Sequence, residues 1–236
     1  MLDAVTSLER RDPDRIETPD GRYYRTDDGI FPSVTTVLKH TVPKEDAERL
    51  AAWAERVGPD EVAKVEIIRD EGAARGSALH AAVEAWVEDP FSDGPAPNDD
   101  PWWNSIVPFL AKTLVQPLAY EGAVWHGELG YAGTFDMVAI VRPGCLALID
   151  WKSARKQKKR RWIGDFVLQA AAYVYALRWL DGVVIEHAII VVAYEKDPAD
   201  VFWIDARDLA QAWLDFQKRL REFQRQEHPC PESPAT

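Results

Sequence analysis

The feature that most restricts the fold is a block of three strand-like runs, LAYEGAVWHG (118–127), YAGTFDMVAIVR (131–142) and CLALIDWK (145–152), joined by short Gly-containing turns. Turns that short permit antiparallel neighbours only, because a parallel crossover needs a dozen or more residues. Residues 164–180, GDFVLQAAAYVYALRWL, then carry a helical pattern, VVIEHAIIVVAYE (183–195) is the most β-rich segment, and VFWID (201–205) offers a further strand. The order α, β-β-β, α, β predicts an α/β fold with a mixed central sheet flanked by helices.

Upstream, RYYRTDDGIF (22–31) predicts a small hairpin turning at Asp27-Asp28-Gly29, and Pro32-Ser33-Val34-Thr35 opens a short capped helix. Helical patterning covers Glu45 to Val57 and Asp60 to about Ala74, while Leu79, Ala82, Val83 and Trp86 recur at the spacing of one buried helix face. The run DPFSDGPAPNDDP (89–101) reads as a loop, and WWNSIVPFLAKTLV returns to helix with a kink or break near Pro108. A last helix from Ala206 to about Gln226 precedes the tail HPCPESPAT, expected to be disordered. The expected organisation is an N-terminal extension with its hairpin over 1–31, one domain over 32–226 and a flexible tail over 227–236.

Two cysteines, Cys145 and Cys230, provide neither a disulfide framework nor a cysteine-held metal or iron-sulfur cluster. Any metal must therefore be held by oxygen or imidazole. No stretch has the length and apolarity of a membrane span, and the N-terminus lacks the pattern of a signal or transit peptide, so a cytoplasmic location is expected by elimination. Lys and Arg number 28 against 39 Asp and Glu, a net charge of −11, which ordinarily counts against a polyanionic partner. Yet KSARKQKKRR (152–161) holds seven of those basic residues and no acid, which concentrates positive potential in one short segment.

Asp136 lies in the second strand of the block and Asp150 near the end of the third, so one hairpin can bring both carboxylates to the same sheet edge. Lys152 follows Asp150 by two residues, and the period-two geometry of a strand puts both on one face. Carboxylate oxygens suit Mg²⁺ or Mn²⁺, and a lysine beside them can orient water or offset charge building on a phosphate. A solvated salt bridge is the bland alternative for an isolated Asp-x-Lys. The apolar flanks weigh against it, since an acid entering an otherwise apolar strand demands a partner.

The runs GYAGTFDMVAIV and CLALIDWKS, followed by Gln169-x-x-x-Tyr173 on the next helix, resemble the core of the RecB-like branch of the PD-(D/E)XK nuclease superfamily. Upstream, FPSVTTVL (31–38) and ARGSALHAAVE (74–84) are similar to segments of the mitochondrial genome maintenance exonuclease family and related phage and bacterial exonucleases. Together these motifs span about Pro32 to Glu195. The resemblance implies a restriction-endonuclease-like core with N-terminal helical elaboration. Asp136 and Asp150 would bind the metal with the Trp151 carbonyl assisting, Lys152 would be the catalytic lysine, and His80 would join the metal shell. Gln169 and Tyr173 would contact substrate or the active site, and Glu121 would lie near the metal. The four cysteines of the iron-sulfur subgroup are missing.

The implied activity is metal-dependent hydrolysis of DNA, as an exonuclease on single-stranded or ended DNA in DNA processing, repair or replication. The alternatives are an endonuclease and a catalytically silent DNA-binding or replication-accessory module of the same fold. Residues Arg155, Lys156, Lys158, Lys159, Arg160 and Arg161 are the expected phosphate contacts, and Trp162 the expected base-stacking ring. Trp102 and Trp103 are read as core, and no protein partner is indicated.

Overall fold

A computed structural model describes residues 8, 10–89, 94–142 and 145–226. The predicted tail, the turn at 143–144 and residues 90–93 of the predicted loop lie outside the described residues.

Three short strands come first: β1 (Asp14–Thr18), β2 (Gly21–Thr26) and β3 (Gly29–Pro32) form an antiparallel sheet in that order. The predicted hairpin is β2–β3; β1 is an addition, and with one apolar residue in DRIET its sequence gave little strand signal. Helix α1 (Val34–His40) starts where expected, with the Ser33 hydroxyl accepting from the Thr36 amide at 3.0 Å. Helix α2 (Lys44–Val57) has no buried residue.

The two helical patterns between 60 and 86 are one continuous helix, α3 (Pro59–Glu88), 30 residues long. Gly72 and Gly76 lie inside it, and each interior glycine costs about 1 kcal/mol of helix propensity. Anchorage of Leu79 and Val83 in the core overrides that cost. Helix α4 (Pro101–Thr113) likewise runs through Pro108 without a break.

The central sheet follows as β4 (Gln116–His126), β5 (Tyr131–Arg142), β6 (Cys145–Ser153), β7 (His187–Ala193) and β8 (Asp200–Ile204), hydrogen-bonded in that order. Pairing is antiparallel except between β6 and β7, where helix α5 (Gly164–Asp181) makes the crossover. Residues 183–186, read as the start of a strand, are not in β7; Val183 and Ile185 instead pack into the core as the chain leaves α5. Helix α6 (Ala206–Arg225) closes the order. The α/β class and the mixed sheet flanked by helices are as the sequence predicts.

Alternation along the strands creates two cores. Val138, Leu148, Ile190 and Val192 pack with α1, α5 and α6, whereas Met137, Ala139, Ile149, Trp151 and Val191 pack with α3 and α4. The alternation reverses at one level. Phe135 and Val138, three residues apart and so on opposite faces of a regular strand, join the same core. Asp136 lies at that reversal. Across the ladder lies Glu121, whose φ of 45° makes it the one left-handed non-glycine residue among those described.

Candidate active site

The β5–β6 ladder runs to Met137↔Ile149 and stops, so Asp136 and Asp150, next in the same register, are not ladder partners. The strands part there, and the Trp151 amide donates to Asp136 Oδ2 at 2.7 Å. Asp150 is fully buried on β6. Lys152, two residues on, brings Nζ to 2.6 Å from Asp150 Oδ2, yet neither Asp150 oxygen meets a donor with hydrogen-bond alignment. The ammonium also lies 5.3 Å from the Phe166 ring centroid, on the α5 side of the sheet.

Helix α3 delivers His80 from the opposite side. Its Nδ1 is 3.2 Å from Glu121 Oε1 and 3.6 Å from Asp136 Oδ1, and its Nε2 is 3.1 Å from the Trp151 carbonyl oxygen. Ligand atoms of His80, Glu121 and Asp136 all lie within 4.8 Å of one another, a spacing that could hold a metal ion. Asp150 is not part of that set, and its near neighbour is Lys152. The sequence-derived residues thus converge as two linked pairs, an acid-imidazole set and an acid-lysine pair, joined through the Trp151 peptide group. The left-handed backbone at Glu121 occurs at the point where its carboxylate joins the set, and strain of this kind concentrates at functional sites.

Proton affinities follow from this crowding. Burial pushes the Asp136 carboxyl up to about 7, and Asp150 adds to that, against the opposing pull of Lys152, His80 and the Trp151 amide. Burial opposes charge on His80, but the Glu121 hydrogen bond and the Asp136 and Glu121 charges prevail and raise it to about 9. An imidazolium here donates at both nitrogens, to Glu121 and to the Trp151 carbonyl. Serving as a metal ligand would require His80 to lose that proton and one of those contacts, and a dication among the acids favours the loss. Burial also opposes charge on Lys152, yet Asp150 and Asp136 raise its pKa, so it is an ammonium at neutral pH.

His80, Glu121, Asp136 and Lys152 line a cleft of ≈ 340 Å³, with Gln169 and Tyr173 of α5 also in its lining and Asp150 buried behind Lys152. Gln169 Nε2 donates to the Tyr173 hydroxyl at 3.0 Å, and burial holds the Tyr173 pKa well above its ordinary value, so this phenol keeps its proton. Tyr173 lies so close to Gly133 of β5 that a Cβ there would fall 2.5 Å from its Cε1.

The basic segment after β6 is not among the residues lining this cleft. Arg155 pairs with Glu71, and Arg160 pairs with Asp208 and donates to the Trp203 carbonyl at 2.8 Å. The Lys158 amide is held by the Tyr194 hydroxyl and Asp200. Lys156, Lys159 and Arg161 are exposed. Trp162 is 51% exposed, with Lys159 Nζ 5.5 Å and Arg161 Cζ 5.3 Å from its ring centroid. Trp103 is buried, as expected, and Trp102 packs against the same core. What sequence reasoning missed is the far wall of the cleft, formed in part by Arg15, Arg22, Tyr24 and Thr35 of the N-terminal region. The Tyr24 hydroxyl lies 3.1 Å from Thr134 Oγ1, which ties this wall to β5 two residues before Asp136.

Among the described residues no helix is long and apolar enough to cross a membrane. No family model matches the chain. It is similar to mitochondrial genome maintenance exonuclease 1 of Xenopus tropicalis, with 29% identity over 210 residues, 84% of this chain and 58% of that protein. The protein of the same name from Mus musculus is 30% identical over 203 residues, 82% of this chain and 59% of its own length. The chain therefore spans a little under three fifths of the relatives it matches. A crystal structure, that of SSO0001, aligns over 84% of this chain and 77% of its own at 17% identity with a TM-score of 0.37. Relatives that are exonucleases by name thus cover most of the chain, consistent with the nuclease family its motifs resemble.

Proposed function

We propose that the chain is a divalent-metal-dependent deoxyribonuclease, an exonuclease acting on single-stranded or ended DNA. The observation behind this reading is the convergence of His80, Glu121 and Asp136 within 4.8 Å, beside the buried Asp150 whose oxygens lack aligned donors. Lys152 and the His80 imidazolium offset part of the crowded negative charge, yet burial and Asp150 still push the Asp136 carboxyl up, so a further cation among these acids would be stabilised. The donor set fits a hard ion: Asp136, Asp150 and the Trp151 carbonyl would hold Mg²⁺ or Mn²⁺, with His80 and Glu121 completing the shell. When bound, such an ion supplies Lewis-acid polarisation of a phosphoryl oxygen and acidifies a water.

The chain's own groups do the rest. Lys152, an ammonium fixed beside Asp150, stabilises negative charge that grows on the phosphate in the transition state, and as a donor it orients the attacking water. Gln169 and the Tyr173 hydroxyl provide neutral hydrogen-bonding groups on the α5 side of the cleft, where they position the substrate phosphate. Exposed Lys156, Lys159 and Arg161 bind the DNA backbone beyond the cleft, with Trp162 as a ring on which a base can stack. Arg155, Lys158 and Arg160 have a smaller share in this contact, because Glu71, Asp208 and the Lys158 backbone bonds already hold that part of the loop.

The deciding experiment incubates the chain with end-labelled single-stranded, duplex and circular DNA in Mg²⁺, in Mn²⁺ or in chelator. Ended substrates should be degraded from their termini, circles should survive, and chelator should stop the reaction. Linearised circles would make it an endonuclease. Binding with no cleavage in either metal would identify a silent module.

His80→Ala should raise the Mg²⁺ or Mn²⁺ concentration needed for half-maximal cleavage by about tenfold or more, the scale expected when a metal site loses one supporting group. An unchanged metal titration would leave His80 a structural residue.

Replacing Lys156, Lys159 and Arg161 with Gln should weaken binding to every DNA sequence alike. Each lost contact with a single strand flattens the slope of log affinity against log salt by about 0.7, so three losses flatten it by roughly 2. A salt series of binding isotherms in Ca²⁺ measures this directly, and an unaltered slope would remove the loop from the DNA path.

A further inference from the structure

The wall opposite the acids has a charge pattern of its own. On β1, Arg15 and Glu17 are two residues apart and share a face. The register Arg15↔Tyr24 and Glu17↔Arg22 places the β2 residues Arg22 and Tyr24 beside them on that face. Of these four, Arg15, Arg22 and Tyr24 line the cleft that also holds His80, Glu121, Asp136 and Lys152. Tyr23, on the other face of β2, is buried. Tyr24, on the face that carries Arg15 and Arg22, is buried as well and packs with Trp125 and Ala132, so the sheet is anchored to β4 and β5 through Tyr24 while the flanking guanidinium groups line the cleft.

Both guanidinium groups are held by one carboxylate oxygen: Arg15 Nε reaches Glu17 Oε1 at 2.6 Å and Arg22 Nε reaches it at 2.9 Å. One acid shared by two bases leaves a positive charge uncompensated. The three side chains are 53%, 36% and 57% exposed for Arg15, Arg22 and Glu17, and ion pairs at such exposure contribute little stability. Arg11 nearby is engaged by Asp181, and Asp12 in the lining brings the formal sum over Arg15, Arg22, Glu17 and Asp12 to zero, so what the wall offers a phosphate is the guanidinium donors of Arg15 and Arg22 rather than net positive charge. A phosphodiester offers the paired oxygens that guanidinium groups bind best.

We propose that Arg15 and Arg22 bind the phosphodiester backbone of the substrate strand as it reaches the metal-binding acids, with Glu17 competing for the same guanidinium groups. The strand then runs between the N-terminal sheet and the β5–β6 acids, with guanidinium donors on one wall facing the cluster of carboxylates on the other. This rests on the nuclease reading above.

The test uses the full chain, a fluorescein-labelled single-stranded oligothymidylate, Ca²⁺ and a salt series read by fluorescence anisotropy. The Arg15→Gln/Arg22→Gln variant should weaken binding and flatten the salt slope by about 1.4, two contacts at about 0.7 each. Glu17→Gln should tighten binding at low salt by about two- to fivefold, the worth of one exposed ion pair removed as a competitor. A role confined to holding the hairpin together predicts the reverse for Glu17→Gln, namely unchanged or weaker binding. Thermal melts accompany both variants, and if the double variant unfolds, Glu17→Gln alone decides. An unaltered slope in a folded double variant, or no gain from Glu17→Gln, overturns the proposal while wild-type cleavage leaves the nuclease reading standing. A wild-type chain that neither binds nor cuts DNA overturns both.

Discussion

Asp150→Asn is expected to lower DNA cleavage at least about a hundredfold while the chain still folds cooperatively, the scale on which loss of one transition-state electrostatic partner is felt. The substitution keeps the shape of the side chain and removes only its charge. Asp150 is fully buried, so the isosteric amide keeps the packing but takes the charge away from Lys152, which still faces the Asp136 carboxylate; some stability is lost with the ion pair, and the melt registers it. On the proposed reading the larger loss falls on function, because a neutral side chain would neither share the cation nor anchor the Lys152 ammonium at 2.6 Å. Asp136→Asn and Lys152→Ala should show deficits of the same order. Single-turnover cleavage of end-labelled DNA measures the effect, and a thermal melt followed by circular dichroism checks the fold. Wild-type rates in any one of the three would remove that residue from the reaction.

Gly133→Ala should both destabilise the chain and slow it. The new methyl would fall 2.5 Å from Tyr173 Cε1 and 3.0 Å from its hydroxyl, and Tyr173 is a buried ring with no free end to swing away. Overpacking of this kind costs about 1–3 kcal/mol. Relief requires the ring to move, which carries its hydroxyl away from Gln169 at the cleft. Denaturant melts on a double-mutant cycle with Tyr173→Leu isolate the clash. The alanine should cost markedly less stability once the ring is gone, and cleavage should stay low in the double variant. An equal penalty in both backgrounds would assign the effect to the strand backbone.

The central block was legible because its turns are too short for anything but antiparallel neighbours. Asp150 and Lys152 were legible for a related reason: two residues along a strand is a fixed distance on a fixed face. His80 and Glu121 are different. His80 reaches Asp136 from a helix whose packing on β6 sets the distance, and Glu121 reaches it across the β4–β5 ladder in a register the sequence does not state. Their place in the sequence reading came from motif resemblance. The left-handed turn at Glu121 had no glycine or asparagine to announce it. The continuity of α3 was hidden by Gly72 and Gly76, whose local cost is outweighed by burial of Leu79 and Val83 further along. The far wall was hidden by composition. RYYRT is legible as a hairpin strand, but DRIET, with one apolar residue, is a weak strand signal, and the cleft-facing side of the pair appears only once the register sets Glu17 against Arg22.

The crowded acids are proposed to share a divalent cation. Titrating Mn²⁺ into the chain and counting free ion by electron paramagnetic resonance tests this without reference to DNA. The wild-type chain should bind Mn²⁺ saturably, Mg²⁺ should displace it, and Asp136→Asn and Asp150→Asn should each bind far more weakly while remaining folded. Mn²⁺ binding that is absent from the wild type, or identical in both folded variants, would contradict the claim.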